Sequence, residues 1–233
     1  MSEVAPLLLR VEVPICAFRP FASREYQDTY PVPTPASAYG MLLSFLGIER
    51  ENKARHAGVR MALALSPRWE RADSVDNALP WRSSVFRKLR RVSQYGYNKT
   101  RAGRERDLFV LSARRPDYQD LLTDVTLWVW LEKGEDAADP PLPKALAGAL
   151  DAPAIVSRHG GLSLGESSYL VNRLNVVARG HVPRKVIVIR PDKEGFYSLP
   201  VWTDHEHDRS RSERFRLELA SPEPPGWFTV APE

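Results

Sequence analysis

The hydrophobic pattern along the chain changes period several times, and each change predicts an element. Residues 7–18, LLLRVEVPICAF, put Val11, Val13 and Ile15 on one face and predict a first strand, with Pro14 marking an edge or a bulge. Pro31, Pro33 and Pro35 keep the next stretch extended. Thr34-Pro35 reads as a helix start, a threonine N-cap followed by proline at the first helical position. The helix is expected to reach about Leu46, burying Tyr39, Leu42, Leu43 and Leu46, with Gly47 ending it. Residues 59–66 (VRMALALS) predict a second strand. Residues 124–131 (DVTLWVWL) set Val125, Leu127, Val129 and Leu131 against Thr126, Trp128 and Trp130, the clearest alternation in the chain. A Trp128–Trp130 face left open to solvent would mark a protein interface. Asp139-Pro140-Pro141-Leu142-Pro143 predicts a rigid connector into a short helix from Lys144 to Leu150. Further strands are expected at 185–190 and 196–202, and residues 214–219 alternate as well. The tail, with Pro222, Pro224 and Pro225, reads as loop.

Strands outnumber helices, and no regular β-α alternation appears. The pattern predicts an α+β fold with an antiparallel sheet and helices on one face, not a doubly wound fold. A strand-helix-strand opening, a later strand, a short helix and further strands fit an elaborated ferredoxin-like (RRM-like) domain over 1–233, with 203–233 as a C-terminal extension.

The 233 residues suffice for one elaborated domain with a sizeable core, and 43% hydrophobic with 27% charged residues is a globular balance. Cys16 is the single cysteine, so neither an internal disulfide nor a thiolate zinc cluster is available, and a reducing cytoplasmic setting is expected. No apolar run approaches the roughly 18 residues needed to span a bilayer. Leu7-Leu8-Leu9 before Arg10 is too short for a signal-peptide core. No membrane partner is expected.

Charge sharpens the picture. The net +4 hides a segment, residues 82–115, with eleven basic side chains against Glu105 and Asp107, a local +9. The rest of the chain carries 22 basic and 27 acidic groups, −5: a mildly acidic body with one strongly basic insertion. Nine of the eleven are arginine, whose planar fork pairs bidentately with phosphate and stacks on bases. Trp81, Phe86, Tyr95, Tyr97 and Phe109 are interleaved among them. Charge that tracks a backbone and rings that stack bases are the chemistry of single-stranded nucleic-acid binding. A solvated hairpin is the plainer reading of the same segment.

Two stretches carry a family signal. One is Phe18-Arg19-Pro20-Phe21 with Thr29 and Tyr30, followed by Pro33-Thr34-Pro35-Ala36-Ser37-Ala38-Tyr39-Gly40-Met41-Leu42. The other is Arg158-His159-Gly160-Gly161-Leu162-Ser163-Leu164-Gly165-Glu166-Ser167. Together they resemble the CRISPR-associated protein 5 family, within the repeat-associated RNA-binding superfamily (RAMP), in the flavour of type I systems and nearest to subtype I-B. The resemblance implies a non-catalytic subunit of the RNA-guided surveillance complex called Cascade. Such a subunit has a ferredoxin-like domain with a protruding thumb, holds the 5′ handle of the CRISPR RNA and caps the backbone filament. It also contacts the large subunit, and so meets target DNA only indirectly. The basic segment 82–115 occupies the place of the thumb.

On this reading Arg87, Lys88, Arg90, Arg91, Lys99, Arg101, Arg104 and Arg106 are expected at phosphates, and Tyr95 and Tyr97 at bases. Gly160, Gly161 and Gly165 would admit RNA close to the backbone, beside the donors Arg158, His159, Ser163, Ser167 and Ser168. Thr34 and Ser37 present helix N-terminal amides, though capping alone would account for both. No cofactor and no metal are expected.

Other constellations compete. Some relatives cleave precursor RNA without metal, and His159 or His181 with Lys185 or Tyr169 would suit a general base for that reaction. Gly161-Leu162-Ser163-Leu164-Gly165 matches a nucleophile elbow, followed by Asp192 and His205, but the β/α units such an elbow requires are missing. Asp204-His205-Glu206-His207-Asp208 places two histidines on one side of an extended segment, a weak metal signal against an exposed polar loop.

Overall fold

The computed structural model describes residues 5–20, 26–91, 114–158, 160–204, 207, 209–223 and 225–232. Its strands are β1 (Leu7–Cys16), β2 (Tyr26–Gln27), β3 (Val59–Leu65), β4 (Trp81–Arg91), β5 (Arg114–Glu132), β6 (Arg173–Val176), β7 (Val186–Pro191), β8 (Tyr197–Asp204), β9 (Arg209–Ala220) and β10 (Phe228–Val230). The helices are α1 (Pro35–Phe45), α2 (Val75–Ala78) and α3 (Leu142–Asp151). One sheet runs in the order β6-β1-β5-β3-β7-β9-β8, with β2 and β4 paired to β5 and β10 to β3. All pairings are antiparallel except the short β2–β5 contact. The mixed composition and mostly antiparallel sheet follow the expected α+β class. Because β1 and β3 each run antiparallel to β5, they are parallel to one another, joined through α1 and split by β5.

Strand β5 organises the molecule. Its C-terminal half lies between β1 and β3, while its N-terminal half pairs with β4 as a long hairpin. At about 3.3 Å per residue a 19-residue strand spans roughly 60 Å, too long to be covered by the body alone. Sequence alternation predicts only residues 124–131 of it, and Asp124 shows why. Asp124 sits at φ 56°, a left-handed conformation that aspartate tolerates, opposite Pro14, which has no N–H for the ladder. The kink resets the alternation, so Leu122 and Val125, three apart, both enter the main core.

That core lies on the helical face. Leu9, Val11 and Val13 of β1, Leu63 and Leu65 of β3, and Leu127, Val129 and Leu131 of β5 pack with Tyr39 and Leu42 of α1 and Leu142 and Leu146 of α3. Cys16 is buried here, and desolvation pushes its thiol up to about 12. Leu46, expected in the core, is the C-cap of α1 and only half-buried.

The opposite face departs from expectation. Trp128 and Trp130 are buried, at 2% and 3% exposure, in a second cluster with Leu8, Val186 and Val188. Ala62 and Ala64 of β3 stand opposite Trp130 and Trp128, so small side chains leave room for the indoles. The Trp128 indole N–H donates to Ser66 Oγ at 2.9 Å. The tryptophan face is therefore internal and offers no open protein interface. Part of its cover is Trp227 from the tail, and the tail is not all loop: Phe228–Val230 pairs with Val59–Met61. No helix among the described residues is long and apolar enough to cross a membrane.

Candidate nucleic-acid interface

The basic segment 82–115 begins and ends in β4 and β5. Their register sets Arg90 opposite Arg115 and Arg91 opposite Arg114, with a bulge between Phe86 and Lys88. Like charges directly opposite one another destabilise a ladder unless a counter-ion bridges them. Nearer the body, Arg82 is already committed. Its guanidinium pairs with the buried Asp120 through Nε at 2.7 Å and with Asp28, while Ser84 also donates to Asp120. Exposed rings flank the stem, with Phe86 and Tyr118 packed edge to face at 5.7 Å. Tyr118 has no part in the sequence expectation, because only the register brings it beside Phe86.

The two motif stretches, more than 110 residues apart, meet in a groove of ≈ 780 Å³. Its walls include Thr34, Ser37 and Gly40 of α1, Arg158, Ser163 and Gly165 of the glycine-rich loop, Trp202 of β8, and Arg50 and Lys53 of a 3₁₀ turn (Arg50–His56). Thr34 caps α1 as expected: its Oγ1 accepts the Ser37 N–H at 3.2 Å, and its hydroxyl donates to Ser37 Oγ at 2.8 Å. Both hydroxyls therefore already have structural partners. The Lys53 ammonium lies 4.6 Å from the Trp202 ring centre, and partial burial holds its pKa below the usual lysine value, with Asp204 opposing. The 3₁₀ turn is fastened from beneath. His56 Nδ1 meets Asp136 Oδ2 at 2.9 Å, both buried, and Asp136 also accepts the Ala138 and Leu142 N–H groups. Nothing local marks this pair, whose members are 80 residues apart.

Arg158 is the outstanding group in the groove. Its Nε and Nη2 are buried with no hydrogen-bond partner among the described residues. Buried guanidinium nitrogens are costly to leave unpaired, and a carboxylate or phosphate is the usual partner. The neighbouring glycines divide by cause. Gly165 (φ +84°) has the Ala17 carbonyl oxygen 2.2 Å from where a Cβ would stand, and Gly161 has Leu170 Cδ2 at 2.5 Å. Backbone packing accounts for Gly165, whereas the atom against Gly161 is the end of an exposed, flexible side chain. Gly160 (φ +72°) alone has open space around it. Ser163 bridges to Leu170 across the loop, Ser167 and Ser168 are exposed, and Leu164 anchors the loop in the core.

The loop and the hairpin are joined. The Tyr169 hydroxyl donates to Gln119 Oε1 of β5 at 3.2 Å, and Arg19 bonds both Glu166 (3.0 Å) and Gln27 (2.5 Å). Gln27 in turn pairs with Gln119 in register.

Several expected site residues, Tyr95, Tyr97, Lys99, Arg101, Arg104, Arg106 and His159, lie outside the described residues. Arg87, Lys88, Arg90 and Arg91 are placed by the backbone of β4. Of the competing constellations, His181 is exposed with Nδ1 3.3 Å from the Ala178 carbonyl oxygen, Lys185 is exposed and Tyr169 is engaged with Gln119. Asp192 is occupied in the β7–β8 connection, accepting the Glu194 N–H and pairing with Arg216 at 3.3 Å. His205 lies outside the described residues, as do Glu206 and Asp208, while His207 bonds Asp204 at 2.8 Å. Among the described residues no three acidic, histidine or cysteine side chains converge as a metal site.

Comparison with known proteins follows the same lines. The family model described as CRISPR-associated protein (Cas_Cas5) matches residues 6–221. A CRISPR-associated protein Cas5 of Myxococcus xanthus (strain DK1622) is 33% identical over 221 residues, 93% of each chain. Among solved structures, a chain of a CRISPR RNA-guided surveillance complex superposes with a TM-score of 0.61 at 17% identity, covering 93% of this chain and 90% of that one. A solved Cas protein gives 0.51 at 19% identity, covering 98% of both. At those identities the two structures speak for a shared fold. The sequence matches go further, and the chain belongs to the CRISPR-associated protein Cas5 family.

Proposed function

We propose that this protein is a non-catalytic subunit of a CRISPR RNA-guided surveillance (Cascade) complex. In this reading it binds the 5′ handle of the CRISPR RNA, caps the backbone filament and contacts the large subunit. The observation that carries it is the hairpin register, which sets Arg90 against Arg115 and Arg91 against Arg114 in a member of the Cas5 family. That arrangement favours a bound polyanion over bare solvent. Arg158, with its unpartnered buried nitrogens, supplies a second anion-binding group in the groove between α1 and the glycine-rich loop.

In the same reading the core is a ferredoxin-like domain, and the order of its elements supports this. β1-α1-β3 followed by β5-α3-β6, with sheet order β6-β1-β5-β3, is a split β-α-β arrangement, and the β4–β5 hairpin is its thumb. β7 to β10 extend that core along and beyond β3.

The test is RNA binding as a function of salt. Replacing Arg90, Arg91, Arg101 and Arg104 by alanine is expected to weaken binding to single-stranded repeat RNA. The slope of log K against log salt should become shallower by about 0.7 for each phosphate that is no longer neutralised. A variant with unchanged affinity and slope would assign the hairpin to protein contacts instead.

A further inference from the structure

We infer that Trp69, Trp81 and Arg68 form a stacking seat for one unpaired base of the RNA held by the hairpin, an inference that rests on the RNA-binding reading above. Trp81 opens β4, the strand that carries Arg87, Lys88, Arg90 and Arg91 outward. Trp69 comes from the segment between β3 and α2. The two indoles meet edge to face, 6.2 Å between centres at 83°, and make a right-angled corner. Both are half-exposed, at 55% and 51%, although burial is the usual fate of tryptophan.

Arg68 completes the corner. Its guanidinium carbon lies 4.0 Å from the Trp81 ring centre and 5.8 Å from that of Trp69. The Arg68 backbone N–H donates to the Ala78 carbonyl at 2.7 Å, which holds the residue in place. Its Nε is buried with no hydrogen-bond partner, and the guanidinium enters no ion pair among the described residues. A guanidinium over one face of an indole, beside a second indole at right angles, leaves exposed ring surface, an edge wall and a cation with no carboxylate partner among the described residues. A nucleobase, with its π-face and ring carbonyls, matches all three.

The local charge argues for a base and against a phosphate. Residues 66–80 hold Arg68 and Arg71 against Glu70, Asp73 and Asp76, a net of −1. Phosphates would thus follow the arginines of the hairpin while a base turns into the corner at its root. Tryptophan and arginine also anchor protein interfaces. Continuity of Trp81 with the basic strand favours RNA.

Because stacking and phosphate binding respond differently to salt, the seat can be separated from the hairpin experimentally. The full chain is titrated with labelled single-stranded repeat RNA at several salt concentrations, with indole fluorescence followed in parallel. Trp81→Ala is expected to weaken binding about tenfold or more with an unchanged salt slope, and Trp69→Ala to weaken it less. Trp81→Phe should keep most of the affinity, and quenching of indole fluorescence by RNA should shrink in both alanine variants. Wild-type affinity in both alanine variants, with the hairpin arginine variant still impaired, would overturn the seat and leave the functional reading standing. Failure of the wild-type chain to bind RNA in a salt-dependent way would overturn both. Loss of protein subunits from the purified complex in Trp81→Ala, with RNA affinity intact, would make the corner a protein contact and refute the inference. A defect confined to single-stranded DNA of the same sequence would refute it equally.

Discussion

At the scale of single residues, the structure distinguishes side chains whose types look alike in sequence. Gly160 and Gly165 both have positive φ in the glycine-rich loop, yet only Gly165 is pressed against another segment, the Ala17 carbonyl at the end of β1. Gly160→Ala is expected to cost about 1–2 kcal/mol, the strain of a left-handed conformation alone. Gly165→Ala adds a clash with backbone that cannot swing away, for a total of about 2–5 kcal/mol. Denaturant unfolding of the two variants checks the order, and equal losses would contradict this packing. Basic residues divide in the same way. Arg82 is held by Asp120 and Asp28, whereas Arg158 keeps two buried nitrogens unpaired. Composition counts both as one positive charge. Only their neighbours tell a structural arginine from one available to a ligand.

At the scale of elements, the β4–β5 hairpin joins body and basic segment in one continuous pair of strands. The strongest local signal, residues 124–131, is the part of β5 inside the sheet. The outer part was illegible as strand because arginines and polar residues replace alternation there and Asp124 shifts the parity. Register offers a direct test of how independent the outer segment is. Arg91 pairs with Arg114, so residues 92–113 can be replaced by Asn-Gly, a two-residue connection that suits an antiparallel hairpin. This trimmed protein is expected to melt within a few degrees of the parent and to lose most of its RNA affinity. A large drop in melting temperature would instead make the removed segment part of the fold.

At the scale of the whole molecule, one groove gathers the capped start of α1, the glycine-rich loop and the 3₁₀ turn. The parts are braced by polar contacts between distant segments, such as His56 with Asp136 and Tyr169 with Gln119. On the proposed RNA-binding reading, the cations and rings gathered here serve to hold the strand. Repeat RNA incubated with the purified protein in EDTA is therefore expected to remain intact. Specific cleavage abolished by His159→Ala would replace the binding reading with a metal-independent ribonuclease.

Much of this was present in the linear chain. Hydrophobic period marked β1, α1, β3, the inner half of β5, α3 and the strands β7, β8 and β9, because burial of one face imposes a local rhythm. Charge counting isolated the +9 segment, since clustering along the chain survives folding into a hairpin. The proline-threonine-proline helix start and the glycine-rich run carried the family resemblance. Tertiary structure decided what depends on partners remote in sequence. It buried Trp128 and Trp130 against the alanines of β3 and drew the tail into the sheet as β10. It also brought Arg68, Trp69 and Trp81 into one corner and spent Arg82 while sparing Arg158. Period and charge are properties of neighbours along the chain, whereas exposure and pairing belong to neighbours in space.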